Sequence, residues 1–193
     1  MKKTQDEKKY HHPLKAIFIN RFLKEMTKSI KKTKAEKVID IGCGEGYPDK
    51  VIGNKLPEIK LVGVDINPEV LEKAKKQNPE VKYHQGNIFK LDFRTAEFDL
   101  ALVMEVLEHL EEPEKAISEV KRVARKALFS VPWEPWFSLV SLVSGHYLKT
   151  KGRHPEHLNF WNTDSFGKML KKHYPTVKTK RAFPWLIAVC EQK

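Results

Sequence analysis

Two acids and three glycines carry the first chemistry of this chain. Val38-Ile39-Asp40-Ile41-Gly42-Cys43-Gly44-Glu45-Gly46 is an apolar run that breaks into glycines at alternate positions. Glycine tolerates a positive φ and lets backbone approach a ligand that a Cβ would push away. Asp65 ends the next apolar run, Leu61-Val62-Gly63-Val64-Asp65, and stands 19 residues beyond Gly46. At that spacing the acid closing the second strand of a Rossmann-like sheet meets ribose hydroxyls. The pattern G-x-G-x-G departs from the dinucleotide pattern G-x-G-x-x-G, and Asp40 puts an anion where a pyrophosphate would be repelled. The ligand implied is a nucleoside without phosphate. S-adenosylmethionine is one, and its sulfonium and amino group are cations that a carboxylate at the turn favours.

A second group is Glu105, Glu108 and His109, just after the apolar run Phe98 to Met104. On a helix these three share one face, a geometry able to hold a divalent metal. Further along, Arg153-His154-Pro155-Glu156-His157 carries two more histidines. His157 and His109 are also the general-base candidates by type, since histidine titrates near working pH. Against both stands the plainer reading that these side chains hold loops together by hydrogen bonds. His11 and His12 lie in a polar tail and read as exposed.

Such residues need strand ends and helix starts to position them. Val38–Ile41, Leu61–Asp65, Val81–Gly86, Phe98–Met104 and Ala127–Val131 read as strands, the inner ones apolar throughout as buried parallel strands are. Open α/β sheets bind ligands at the carboxyl ends of such strands. Pro48 suits the first turn of a helix whose amides face an anionic ligand group, and Glu45 beside it reads as facing solvent. Asn67-Pro68-Glu69 is a cap and helix start for Val70 to Gln77. Glu112-Pro113-Glu114 opens a helix reaching about Arg125, with Ala116, Ile117, Val120 and Val123 as its buried stripe and Lys121, Arg122, Arg125 and Lys126 as a basic cluster near its end. Ahead of the first strand, Leu14, Ile17, Phe18, Phe22, Met26 and Ile30 recur at helical spacing over about five turns. Trp133, Trp136, Phe137, Leu139, Val140, Leu142, Val143, Tyr147 and Leu148 crowd one short insert. It reads either as apolar surface at a site or as core filling. Thr163-Asp164-Ser165 caps a helix through Lys172, and Thr176–Ala182 and Trp185–Glu191 alternate as two last strands.

Asp40 to Gly46 resembles motif I of the class I S-adenosylmethionine-dependent methyltransferases, and Gly63-Val64-Asp65-Ile66-Asn67-Pro68 resembles the segment after it. Gly86-Asn87-Ile88 and Phe98 to Leu110 resemble the third and fourth blocks. The likeness is greatest to the type 11, ubiquinone-biosynthesis-like branch. Through Ser130-Val131-Pro132, Glu134-Pro135, Gly145-His146-Tyr147-Leu148, His157, Trp161 and Phe183-Pro184-Trp185 it extends to a bacterial and archaeal subgroup. The resemblance implies an α/β fold: a Rossmann-like, doubly wound, mostly parallel seven-stranded sheet with an antiparallel last strand, plus the N-terminal helix and the aromatic insert after strand 5. It implies one domain over residues 1–193, with 1–35 as basic tail and cap helix beside the cofactor cleft and 133–162 as acceptor-side insert. It implies S-adenosyl-L-methionine as cofactor and S-adenosyl-L-homocysteine as product. The cofactor residues would be Asp40, Gly42, Cys43, Gly44, Gly46, Asp65, Ile66, Asn87, Ile88, Met104 and Glu105. Asn87 stands where related enzymes carry Asp; its amide can still accept from the adenine amino group. Small-RNA 2′-O-methyltransferases use a Glu-x-x-Glu-His set with a distant His, similar to Glu105, Glu108, His109 and His157.

The 193 residues, 40% hydrophobic, suffice for one packed core. No apolar run is long enough to span a bilayer and the N-terminus lacks a signal-peptide pattern, so a cytoplasmic protein is expected. Two cysteines without C-x-x-C spacing indicate neither a disulfide framework nor a zinc cluster; they read as buried fillers. The net charge of +11 is spread as lysine among glutamate, which fits a solvated surface and leaves nucleic acid as the alternative. The favoured acceptor is a small molecule or lipid precursor, apolar or aromatic in part. RNA or protein methylation, peripheral membrane contact, and cofactor binding without catalysis are the competing readings.

Overall fold

The computed structural model describes residues 13–143, 150–152 and 154–192. Helix α1 (Pro13–Thr33) leads into strand β1 (Lys37–Ile41), α2 (Tyr47–Lys55), β2 (Lys60–Asp65), α3 (Pro68–Gln77), β3 (Lys82–Gln85) and β4 (Phe98–Met104). A 3₁₀ turn (Leu107–His109), α4 (Pro113–Val123), β5 (Ala124–Pro132), α5 (Trp136–Val143), α6 (Thr163–Lys171), β6 (Thr176–Ala182) and β7 (Trp185–Glu191) complete the chain. His11, His12, Arg153 and Gly145 to Leu148 of the insert lie outside the described residues.

The seven strands form one sheet in the order β3-β2-β1-β4-β5-β7-β6. The first five run parallel, and β7 enters antiparallel between β5 and β6. This is the doubly wound, Rossmann-like sheet expected, and the last two strands have the expected bounds. Strand β1 lies inside the sheet, between β2 and β4, and its side chains show why the inner strands carry few polar residues. Ile39 and Ile41 join a core with α4 and α6, while Val38 faces a second core built by Phe22, Leu23, Met26 and Ile30 of α1 with Ile52 of α2. Both faces are covered, so alternation of polar and apolar residues is lost.

Two boundaries differ from expectation. Helix α4 stops at Val123 and β5 begins at once, because Ala124 pairs with Phe98 and sheet pairing overrides the helical preference of Ala-Arg-Lys-Ala. The expected basic cluster is thereby dispersed. Arg122 binds Glu119 and the Leu91 and Phe93 carbonyls, Arg125 pairs with Asp99, and Lys126 donates to the Thr33 carbonyl. Helix α6 is capped one residue earlier than expected, by Asn162, which accepts from the Asp164 and Ser165 amides in a reciprocal capping box. Asn67 caps α3 as its sequence demands, accepting from the Glu69 amide at 2.9 Å.

Candidate active site

The glycine turn sits at the carboxyl end of β1, pinned by the Gly42 and Cys43 amides donating to the Val64 carbonyl at 2.7 and 3.1 Å. Gly42, Gly44 and Gly46 all have positive φ, yet for different surroundings. A Cβ on Gly42 would strike Val106, and one on Gly46 would strike Asn78 and Tyr83. A Cβ on Gly44 would meet nothing within 4 Å. Gly42 and Gly46 answer to packing, and Gly44 borders open space. The Gly44 amide donates to Asp65 Oδ2 at 2.9 Å, and Asp65 Oδ1 accepts from Asn67 at 2.9 Å, so the acid of β2 is held against the turn.

Asp40 lies beneath the turn, fully buried. Neither of its oxygens receives a hydrogen bond from an N–H or O–H of any described residue. Burial, and then the neighbouring Asp49, raise its pKa well above the carboxylate range. Burial raises Asp49 too, opposed by its contacts with Asp40 and Tyr83. Asp49 also accepts from Tyr83 Oη at 2.8 Å, and Asn78 donates to Tyr83 Oη at 2.9 Å and to the Gly46 carbonyl at 2.8 Å. Asp49 was not singled out from the sequence, although an acid just after Pro48 in a first helical turn is a usable signal. Glu45 corrects its expected solvent position. It is buried and paired with Lys73 at 2.6 Å, because α3 packs on the turn and brings a cation to it.

Ile66, Asn87 and Ile88 gather at the ends of β2 and β3, where the Gly86 amide donates to the Asp65 carbonyl and Gln85 to the Ile66 carbonyl. Ile66 is 65% exposed and presents a free apolar face, whereas Ile88 packs on the core. Asn87 uses its side-chain oxygen locally, accepting from the Phe89 amide at 2.9 Å, which leaves its amide NH₂ toward a ligand. The exposed Phe89 beside it was not anticipated. Met104 ends β4 in the α1-side core, one residue before Glu105.

Glu105 and Glu108 do not lie on a helix as expected. Glu105 has φ 57°, and Leu107–His109 forms a single 3₁₀ turn. The bend still brings the two carboxyls together. Glu105 accepts from Ser130 Oγ at 2.8 Å and from the Trp185 indole; burial pushes its pKa up to about 7. Glu108 is fully buried without a hydrogen-bond donor to either oxygen among the described residues, and burial followed by Glu105 raises it well above the carboxylate range. Ser130 and Trp185 belong to stretches noted in the sequence, but no spacing rule ties them to Glu105.

His157 reaches this corner because the Leu158 and Asn159 amides both donate to the Glu108 carbonyl, at 2.8 and 3.1 Å, and Asn159 Nδ2 donates to the Leu110 carbonyl at 2.6 Å. One ligand atom each from Glu108, His109 and His157 then lie within 4.8 Å of one another. His109 Nδ1 is 3.1 Å from the Glu156 carbonyl, which can only accept, so Nδ1 donates to it. His154 stacks on His157 with centroids 4.7 Å apart. Burial, then His109 and His154, push His157 down to about 4, which corrects the expectation of a base titrating near working pH. The cluster sets the depressed His157 and two further imidazoles beside an unsatisfied carboxyl. Its outer wall is aromatic: Phe137 lies 5.8 Å from His157 and 6.3 Å from Trp185, and Trp185 is 5.2 Å from Phe22 of α1.

Residues 39–127 match the profile of the family described as "Methyltransferase domain". Among curated proteins, trans-aconitate 2-methyltransferase of Afipia carboxidovorans is 25% identical over 34% of this chain and 25% of its own length. Demethylmenaquinone methyltransferase of Chlorobaculum parvum is 29% identical over 39% of this chain and 31% of its own length. The matches thus span about a quarter to a third of those relatives. Among solved structures, the methyltransferase domain of bacterial CtHen1-CN superposes with TM-score 0.67 and 25% identity, covering 90% of this chain and 99% of that one.

Proposed function

We propose, from residues 39–127 being a methyltransferase domain of the type 11 branch of the class I S-adenosylmethionine-dependent methyltransferases, that this chain methylates a small molecule that is apolar or aromatic in part. The observation that carries the cofactor half is Asp40, a fully buried carboxyl with no donor among the described residues, at the end of β1 that leads into Gly44, the one described glycine whose added Cβ would meet nothing within 4 Å. These residues fit S-adenosylmethionine. When bound, it supplies a methyl group already activated on a sulfonium and leaves as S-adenosylhomocysteine. Asp40 would face its cationic end. Asp65, held at the turn by the Gly44 and Asn67 amides, would take the ribose hydroxyls. Ile66 and Asn87 would hold the adenine, by its face and by its edge respectively. The protein's main contribution is then alignment, worth about 7 to 11 kcal/mol in favourable cases.

On the acceptor side, Phe137, Trp185 and Phe22 supply an apolar wall, with His157 against Phe137. The two curated relatives are named for small acceptors, which supports this reading. Calorimetry with S-adenosylmethionine and S-adenosylhomocysteine tests it. Both should bind, and Asp65→Ala should weaken them by about 1 to 3 kcal/mol, the usual loss when a buried hydrogen-bonding partner goes. Absence of heat with either compound, together with uptake of a nicotinamide coenzyme, would refute the assignment.

The corner formed by Glu108, His109 and His157 favours a second reading, metal-assisted methylation of an RNA 2′-hydroxyl. Imidazole pushed down to about 4 is a weak base, yet its free lone pair is what a divalent metal requires. Glu105, Glu108, His109 and His157 would hold the ion, which would supply Lewis-acid activation of a hydroxyl. Manganese titration decides between the readings: binding that His157→Ala abolishes supports the second. Full activity on a small acceptor after exhaustive chelation removes it.

A further inference from the structure

Helix α5 is built almost wholly of apolar side chains, and none of them is buried. Trp136 is 43% exposed, Leu139 48%, Leu142 38% and Val143 80%, at spacings that align them along one face. Two contacts fix this presentation. Glu134 accepts from Ser138 Oγ at 2.8 Å at the start of the helix, and Gly152 packs so tightly that any Cβ there would collide with the Ser138 carbonyl and crowd Leu142. The helix is therefore held with its greasy face outward, and an exposed apolar stripe of this kind marks an interaction surface.

Positive charge rims the stripe. Lys151 is exposed beside Gly152. Arg181 is exposed with its guanidinium 4.9 Å above the Trp133 ring, and Trp133 lies 6.0 Å from Trp136. Trp136 also neighbours Phe183, which packs edge-on to Phe18 of α1, so exposed Ile17 and Arg21 of that helix continue the same pattern. The one acid at the helix start, Glu134, is engaged by Ser138, and the whole chain carries a net charge of +11. Apolar side chains at the centre and cations at the margin complement an anionic bilayer, with the former entering the acyl boundary and the latter staying at the phosphates.

We propose that α5 docks the protein onto an anionic membrane surface as a peripheral element. No helix among the described residues is long and apolar enough to cross a membrane, so the contact is interfacial. Phe137 of the same helix turns inward to His157 and Trp185. Docking thus sets the aromatic wall of the candidate site beside the bilayer, and the acceptors it would draw are amphiphiles with a buried tail and a nucleophilic head. That last step rests on the methyltransferase reading; the docking does not.

The test is co-sedimentation of the full chain with vesicles of phosphatidylcholine containing phosphatidylglycerol, against pure phosphatidylcholine. The protein should sediment with the anionic vesicles and at least about tenfold less with the neutral ones or at high salt. Leu139→Glu/Val143→Glu should lower binding to anionic vesicles at least about tenfold, with melting temperature and cofactor calorimetry unchanged. Failure of the parent chain to bind anionic vesicles, or equal binding by the double variant, would overturn the proposal. So would a dimer in light scattering that this variant dissociates, since a second copy would then cover the stripe. Cofactor calorimetry is read separately, so loss of vesicle binding leaves the methyltransferase reading standing.

Discussion

Replacing Asp40 by Asn tests the cofactor half of the site through stability and affinity at once. Asp40 is fully buried, and its oxygens have no donor among the described residues. An unsatisfied buried polar group costs about 1 to 3 kcal/mol. The asparagine amide can donate to Asp49, which keeps its bond from Tyr83. Asp40→Asn should therefore stabilise the ligand-free protein by about 1 to 3 kcal/mol, or about 2 to 12 °C for a chain of this size. The sign with pH follows from the raised carboxyls. The folded carboxyls hold protons at pH values where the unfolded chain has lost them, so their stabilising contribution is complete below the ordinary carboxylate value and disappears as pH rises through the raised values. The melting temperature of the parent should fall on the alkaline side, and that slope should flatten in Asp40→Asn. Binding of S-adenosylmethionine should weaken by about 1.5 to 3 kcal/mol, the value of a hydrogen bond to a charged group. Scanning fluorimetry across pH and calorimetry on the same samples give both numbers. A variant that melts lower and binds equally well would refute the reasoning, because Asp40 would then be an ordinary structural carboxyl.

Gly44→Ala should fold with a loss of about 1 kcal/mol or slightly more from its positive φ, yet lose most cofactor affinity, whereas Gly42→Ala should unfold more easily because its Cβ meets Val106; melting curves and calorimetry separate the two. Asn162→Ala removes both capping bonds of α6 and should lower stability by about 1 kcal/mol, read as a melting shift of about 2 to 4 °C. Cys43 and Cys190 are buried, and burial holds the Cys190 thiol up at about 12 and raises Cys43 as well. Both should resist a thiol reagent in the native protein at neutral pH and react fully on unfolding, as a spectrophotometric titration would show.

The sequence was most legible where one backbone rule acts over a short stretch. Gly42 to Gly46, the Asn67 cap and the inner strands each obey a local requirement, and their places follow from it. Legibility failed where a distant segment supplies the reason. Glu45 reads as a solvent-facing loop acid until α3 brings Lys73 over it, and Ala124 to Lys126 read as a helix end until Phe98 pairs with Ala124. Glu105 and Glu108 stand out in the sequence, but the helical spacing that would group them there is not how they meet, because Glu105 takes a left-handed conformation that no residue pattern announces. The roles of Ser130 and Trp185 depend on β7 entering the sheet beside β5, a topological fact outside any local window.

The Glu108 carbonyl, shared by the amides of Leu158 and Asn159, fastens a late segment of the chain to an early one. In the proposed function the nucleoside would be held mostly by residues from Asp40 to Ile88, whereas the histidine corner comes together across some fifty positions, through a few bonds at the rim of the sheet. Local opening of that clasp would scatter the histidines while leaving the nucleoside cradle whole. On the proposed function, such a molecule could keep one half constant while remodelling the other, changing its acceptor without altering how it holds its donor.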